Sequence, residues 1–154
     1  MRPIAAALLA SLALAGCAKK IPNTDIDDSP ENRQVIAVVD DYRKAFDARD
    51  VQGVMALVSK SYYDDAGTSD PTDDVDYRLL QQVLTETFQK LPDLKLEVGV
   101  TDIKIKGDTA NVEMFYDARY RVATPRREIP KRDSDVQRLV LRREGDKWKI
   151  VTGL

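Results

Sequence analysis

Histidine is absent from the 154-residue sequence, and cysteine occurs only once. Without an imidazole, Ser-His-Asp and Cys-His catalysis, histidine-ligated zinc and the usual general base at neutral pH are excluded. A single thiol also excludes disulfide scaffolds and four-cysteine metal sites. We therefore expect neither a metal ion nor a cofactor.

The sequence also lacks an excess of charge of one sign. Its 24 Lys and Arg residues are matched by 26 Asp and Glu residues, which leaves a formal charge of −2. Domains that bind nucleic acid are usually clearly basic, so we expect no nucleic-acid partner. The length fits one domain with a leader or tail.

No apolar run is long enough to span a bilayer as a helix, which requires about 20 residues. The longest run, Ile4 to Ala15, follows Arg2 and is typical of the apolar part of a secretory signal peptide. It ends in Leu14-Ala15-Gly16-Cys17, which resembles the lipobox of bacterial lipoproteins. The resemblance implies cleavage before Cys17, diacylglycerol on its thiol and a fatty acid such as palmitate on its amino group. The alternative is an incidental thiol.

These features divide the chain into a signal peptide (1–16), an acylated cysteine with a flexible tether (17–32) and a globular domain (33–154). The tether contains two prolines and several Asp, Asn and Ser residues, with little apolar surface to bury. Three acyl chains would hold the protein on the membrane, since two already anchor stably. Ala18 follows the cysteine. By the sorting pattern of enteric lipoproteins, this indicates the outer membrane of the cell envelope, facing the periplasm.

Apolar residues at helical spacing predict three helices in the domain. The first runs from about 30 to 48, with Ser29 as its N-cap and Pro30 in its first turn. The second covers 51–58 after Asp50, and the third runs from about 75 to 90.

The rest of the chain alternates between apolar and polar residues, as strands do. The alternation over 94–100 changes phase before Ile103, which predicts a bulge near Gly99 or Thr101-Asp102. A tight turn at 107–108, a long strand over 112–122 and a closing hairpin over 136–154 follow. We therefore predict an α+β fold in which three N-terminal helices pack on an antiparallel sheet of about four strands.

Two segments resemble a known family. DDYRKAFDARDVQGVMALVSKSYYDD (40–65) is similar to the opening of nuclear transport factor two-like domains, also called SnoaL-like or cystatin-like cone folds. LVLRREGDKWKIVTGL (139–154) is similar to their closing hairpin. The resemblance implies a curved sheet wrapped around a helix, a pocket at the open end of the cone and a possible homodimer through the sheet. It implies little about chemistry, because the fold hosts isomerases, cyclases, dehydratases, hydrolases and inactive members.

The long strand indicates where a pocket would lie. Tyr116, Ala118 and Tyr120 share one face of the strand, and the helical face that includes Tyr42 is the natural surface to cover it. Small Ala118 between two tyrosines leaves room, so we expect a pocket bounded by Tyr42, Tyr116 and Tyr120. A site of this kind suits a small apolar ligand.

Two classes of function remain open. The first is a noncatalytic domain, with no catalytic residue, that binds a small apolar ligand or an envelope protein. The alternative is a lipid-anchored isomerase- or dehydratase-like enzyme. In that enzyme a carboxylate such as Asp41 would remove a proton beside a carbonyl, and a tyrosine such as Tyr62 or Tyr63 would stabilise the enolate.

Two charged segments also have alternative interpretations. The aspartate-rich loop over 64–76 lacks the spacing of a calcium loop, so a solvated loop is favoured. The basic residues between Arg119 and Arg132 could meet anionic headgroups or an acidic partner. A charged edge that discourages pairing between sheets is the favoured interpretation.

Overall fold

The computed structural model describes residues 19–91 and 93–154, so the signal peptide and Cys17 lie outside the described residues. Within these ranges no helix combines the length and the apolar character needed to cross a membrane. The helices are α1 (Pro30–Asp47), α2 (Val51–Leu57) and α3 (Tyr77–Lys90). The strands are β1 (Tyr63–Asp64), β2 (Val75–Asp76), β3 (Lys95–Lys106), β4 (Thr109–Ala123), β5 (Glu128–Glu144) and β6 (Lys147–Thr152).

Each helix begins at a side chain that accepts a hydrogen bond from a free backbone amide of the first turn. Ser29 accepts from the amide of Asn32 at 3.1 Å, with Pro30 in the first turn of α1. Asp50 accepts from Gly53 at 2.9 Å. Asp76 does the same for α3, so this helix begins at Tyr77, two residues later than predicted.

The large sheet is antiparallel, with strand order β3-β4-β5-β6. The register between β3 and β4 shifts between Val100 and Asp102, which confirms the bulge expected from the change of phase. Gly107 connects the two strands with a positive φ of 59°, a conformation that glycine adopts without a steric cost. The predicted α+β architecture of three helices and a four-stranded antiparallel sheet is therefore confirmed.

The core lies between the helices and one face of this sheet. Helix α3 buries Leu80, Leu84 and Phe88, whereas Val83 on the same helix is 45% exposed. The fully buried side chains of the sheet face are Ala110, Val112, Met114, Leu139, Leu141 and Ile150. Bulky apolar groups thus fill the interior beneath α1 and α2.

Residues 19–29 fall in the predicted tether but pack against the domain in this structure. Lys20 and Asp27 form an isolated antiparallel β-bridge, and the amide of Ile21 donates to the carbonyl of Ile26 at 2.9 Å. Ile26 is 5% exposed, so this segment buries one apolar side chain. The following residue pair, Asp27 and Asp28, leads directly into the cap of α1.

Candidate functional site

Tyr42, one boundary of the predicted pocket, lies in the core. It is 7% exposed, and its ring packs 5.7 Å from that of Phe46, centroid to centroid. Phe46 in turn meets Phe88 edge-on at 5.0 Å. Burial, with a smaller effect of Tyr62, raises the pKa of Tyr42 well above its usual range, so its hydroxyl stays neutral.

Tyr116, Ala118 and Tyr120 lie on the face of β4 that the helices cover, and all three are half-buried. Ala118 is paired with Leu96 on β3 and with Asp133 on β5. The Tyr116 hydroxyl donates to the exposed carboxylate of Asp133 at 3.3 Å. The structure therefore places these three residues together on one strand, and Tyr116 and Ala118 pack against the core cluster that contains Tyr42.

A cleft of about 790 Å³ opens beside them, where β3 begins and the β4–β5 hairpin continues past it. Of the four candidate residues, all of which the structure describes, only Tyr120 lines it. Its walls are largely charged rather than apolar. The lining residues are Arg43, Asp47, Asp93, Lys95, Leu96, Glu97, Arg119, Tyr120, Arg121, Pro130, Lys131 and Arg132.

Two arginines of this cleft contact a residue that the sequence analysis did not single out, Asp117. It is 4% exposed and lies on the opposite face of β4 from Tyr116. Arg132 Nε donates to its carboxylate at 2.7 Å, and Arg119 Nε donates at 3.1 Å. These two guanidinium groups, Arg132 foremost, outweigh burial and hold the pKa of Asp117 below its usual range. The alternation of side chains along β4 puts Asp117 and Arg119 on the same face, which could have been predicted from the sequence. Arg132 lies on β5, so its contact with Asp117 could not.

Tyr62, a member of the alternative catalytic set, and nearby Asp64 form hydrogen bonds with the C-terminal residues. The Tyr62 hydroxyl donates to the carbonyl of Leu154 at 3.1 Å and accepts from its amide at 3.0 Å. Asp64 accepts from the amide of Gly153 at 2.6 Å. Burial raises the pKa of Tyr62 to about 12. Both side chains are used to fix the end of the chain.

The other members of the alternative set lie in solvent. Asp41 is exposed on α1 and faces Lys44 at 3.6 Å. Tyr63 is 53% exposed and donates to Asp74 across the β1–β2 pair. An exposed carboxylate has the solvation of an ordinary surface acid, so neither arrangement resembles a desolvated base.

Side chains of the aspartate-rich loop accept hydrogen bonds from backbone amides of the same loop. Asp64 and Asp65 accept from the amides of Ala66 and Gly67, and Asp70 accepts from the amide of Thr72. Across residues 19–91 and 93–154, no group of three or more acidic, cysteine or histidine side chains is placed to hold a metal ion. The loop geometry is that of Asx turns.

Comparison with known proteins identifies the domain. The model of the SnoaL-like domain family matches residues 35–153. No curated protein matches the chain.

Three solved structures share its fold. A candidate dehydratase of the nuclear transport factor two-like family from Streptomyces avermitilis is 16% identical, with 79% of this chain and 92% of that chain covered and a TM-score of 0.62. A ketosteroid isomerase-like protein from Erwinia carotovora atroseptica is 15% identical, with coverage of 81% and 94% and a TM-score of 0.64. A candidate scytalone dehydratase from Novosphingobium aromaticivorans is 14% identical, with coverage of 80% and 80% and a TM-score of 0.65. At these identities the likeness shows the fold alone.

Proposed function

Because the chain belongs to the SnoaL-like domain family, whose fold serves both enzymes and noncatalytic proteins, we propose that it is a noncatalytic binding domain of the bacterial cell envelope. Its ligand is a small apolar molecule or an envelope protein. The protein is held at the membrane by acyl groups on Cys17 and faces the periplasm from the outer membrane.

One observation carries the noncatalytic assignment: the buried carboxylate is in the wrong place for proton transfer. Among the residues described by the structure, two acidic side chains are almost fully buried: Asp28, 6% exposed and paired with Arg33 ahead of α1, and Asp117, 5% exposed. Only Asp117 lies on the strand that carries the candidate tyrosines. It points away from Tyr116 and Tyr120, and two arginines keep it ionised. A general base needs a pKa near the working pH and reach to a substrate proton, and Asp117 has neither on the tyrosine face.

The packing of the cone interior supports the same assignment. Met55, Tyr62 and Met114 are each at most 3% exposed and belong to one contiguous apolar cluster. Side chains therefore occupy the volume beneath the helices, where a buried substrate would react. A ligand or partner would bind at the half-buried rim of β4, around Ala118.

The comparisons support the alternative function, an isomerase- or dehydratase-like enzyme. Two of the solved structures are named for dehydratases and one for an isomerase. In this chain Tyr116, hydrogen-bonded to Asp133, forms a tyrosine–carboxylate pair on the helix-covered face of the sheet. It would be the pair to test for proton transfer.

The experiment measures binding of the neutral dye Nile red to the full chain, followed by mass spectrometry of proteins and lipids that co-purify from native envelopes. Ala118→Leu should abolish dye binding and the co-purified ligand. Ala123→Leu, the same change on the opposite face of β4, is the matched control and should leave both unchanged.

Unchanged binding in folded Ala118→Leu would remove this site from consideration. Loss of folding in Ala118→Leu would show a tightly packed position with no pocket beside it. Proton–deuterium exchange next to the carbonyl of a ketone ligand, lost in Tyr116→Phe, would support the enzyme instead.

A further inference from the structure

The cleft at the start of β3 concentrates positive charge in a chain whose formal charge is −2. Six of its lining side chains are cationic and three are acidic. Its lining side chains therefore carry more positive than negative charge, although Asp40, Asp117 and Glu128 lie against the four arginines from outside the lining. An excess of one sign of charge in a cleft raises the local concentration of ions of the opposite sign.

Each of the four arginines of the cleft has an acidic partner. Arg43 contacts Asp40 at 2.9 Å and Asp47 at 3.5 Å, and Arg119 contacts Glu97 at 3.5 Å. The single carboxylate of Asp117 is shared by the guanidinium groups of Arg119 and Arg132. Arg121 approaches Asp93 and Glu128 only at 3.6 and 3.7 Å, distances of charge attraction rather than hydrogen bonding.

Two lysines leave further positive charge available. Among the residues that the structure describes, no acidic side chain forms an ion pair with Lys95 or Lys131. Both are exposed, and both line the cleft. Their ammonium groups retain free donors for a ligand.

The backbone brings these cations together from four segments. Arg43 comes from the last third of α1, and the amide of Leu96 donates to Asp47 at 2.9 Å, which ties the end of α1 to the start of β3. Lys95 is paired with Arg119, and Arg119 with Arg132, across three adjacent strands. The cations are thus fixed by the sheet register rather than scattered along a loop.

We propose that this cleft binds an organic anion that carries a phosphate group. Guanidinium groups bind phosphate oxygens in a bidentate manner, and lysines add point charges. A volume of about 790 Å³ far exceeds what inorganic phosphate needs and falls in the usual range for small-molecule sites. Leu96, Tyr120 and Pro130 provide apolar surface for the organic part.

The phosphate could belong to a soluble ester or to a lipid headgroup, since both present the same oxygens. The inference does not depend on the proposed function, because the charged cleft shares only Tyr120 with the candidate residues around Ala118 and would exist in an enzyme as well. Its test therefore uses charge variants that leave the rim untouched.

The experiment titrates the purified full chain with phenyl phosphate, and separately with dihexanoylphosphatidylglycerol below its micelle concentration, by isothermal calorimetry. Dihexanoylphosphatidylcholine is the neutral lipid comparison. The test variant is Lys95→Gln/Lys131→Gln. The control is Lys106→Gln/Lys147→Gln, which removes the same charge from exposed lysines outside the cleft.

The test variant should weaken binding about tenfold or more, because each charge contact near the surface contributes severalfold. The control should stay near the wild-type affinity, and added salt should weaken binding to the wild type. Preference for phenyl phosphate would identify a soluble ester, and preference for the anionic lipid a headgroup. If neither probe binds, or if both double variants bind as the wild type does, the proposal is wrong. Circular dichroism confirms that both variants are folded.

Discussion

Trp148 at the start of β6 is 3% exposed, and the Arg143 guanidinium lies 4.3 Å from the centroid of its ring. Trp148→Ala should lower the free energy of unfolding by about 3–5 kcal/mol, because a large buried ring leaves a cavity. Urea denaturation measures this loss. Phe115→Ala is the control: its ring is 43% exposed, so the change should cost less than about 1 kcal/mol. A loss of stability for Trp148→Ala as small as that of the control would show that the indole contributes little to the packing of the core.

Asp117 predicts how stability depends on pH. Its pKa is lowered in the folded state by Arg132 and Arg119, so the unfolded chain binds its proton first as the pH falls. The stabilisation is fully present above the unfolded pKa of about 3.9 and is lost as the pH falls through the lower folded value. Asp117→Asn should therefore be less stable than the wild type at pH 7, and its stability should fall less between pH 7 and pH 3.

Urea unfolding at the two pH values measures both effects. Glu86→Gln is the control, because Glu86 forms an exposed pair with Lys90 at 3.0 Å, and such pairs contribute little to stability. Equal pH dependence in Asp117→Asn and the wild type would contradict the role assigned to the two arginines.

At the scale of elements, the end of β6 depends on one glycine. Gly153 has φ of 100°, and a Cβ there would overlap the carbonyl oxygen of Arg138 on β5. Gly153→Ala should lower the free energy of unfolding by more than about 1 kcal/mol, because the strained backbone and the clash add together. Thermal and urea unfolding measure the change.

Gly99 on β3 is the matched control for this substitution. An added Cβ meets no atom within 4 Å there, and its φ is not positive. Gly99→Ala should be neutral or slightly stabilising, since alanine has less conformational entropy to lose than glycine. A Gly153→Ala protein as stable as Gly99→Ala would show that the backbone at residue 153 can adopt another conformation without loss of stability.

The elements themselves were largely predictable from local chemistry. Caps at Ser29 and Asp50 and the apolar spacing identified α1 and α2 to within one residue at their ends. The β1–β2 pair was missed, because two residues in each strand carry no periodicity. That pairing joins Tyr63 to Asp76 across the aspartate-rich loop, and only the fold brings these residues together.

At the scale of the whole molecule, the membrane attachment proposed for Cys17 can be tested directly. The wild type should enter the detergent phase in Triton X-114 separation, because acyl chains outweigh the solubility of the domain. Cys17→Ser should remain in the aqueous phase. Ala18→Ser, which leaves the cysteine in place, is the control and should partition as the wild type does. Detergent partitioning of Cys17→Ser equal to that of the wild type would rule out the lipid anchor.

The sequence alone determined the three helices, the order of the four strands of the large sheet, the bulge in β3 and the family resemblance. Each of these depends on residues close together in the chain, whose spacing and capping act locally. The sequence did not determine the β1–β2 pair or the start of β5 at Glu128. The family assignment agrees with the match over residues 35–153.

Only the tertiary structure decided what surrounds the candidate residues. Tyr42 and Tyr120 have the same side chain, yet Tyr42 is enclosed by Phe46 and its neighbours while Tyr120 borders a charged cleft. That cleft joins residues from 43–47, 93–97, 119–121 and 130–132, and Asp117 finds Arg132 across a strand pair. Contacts between segments so far apart follow from strand register and helix packing, which no local pattern of residues reports.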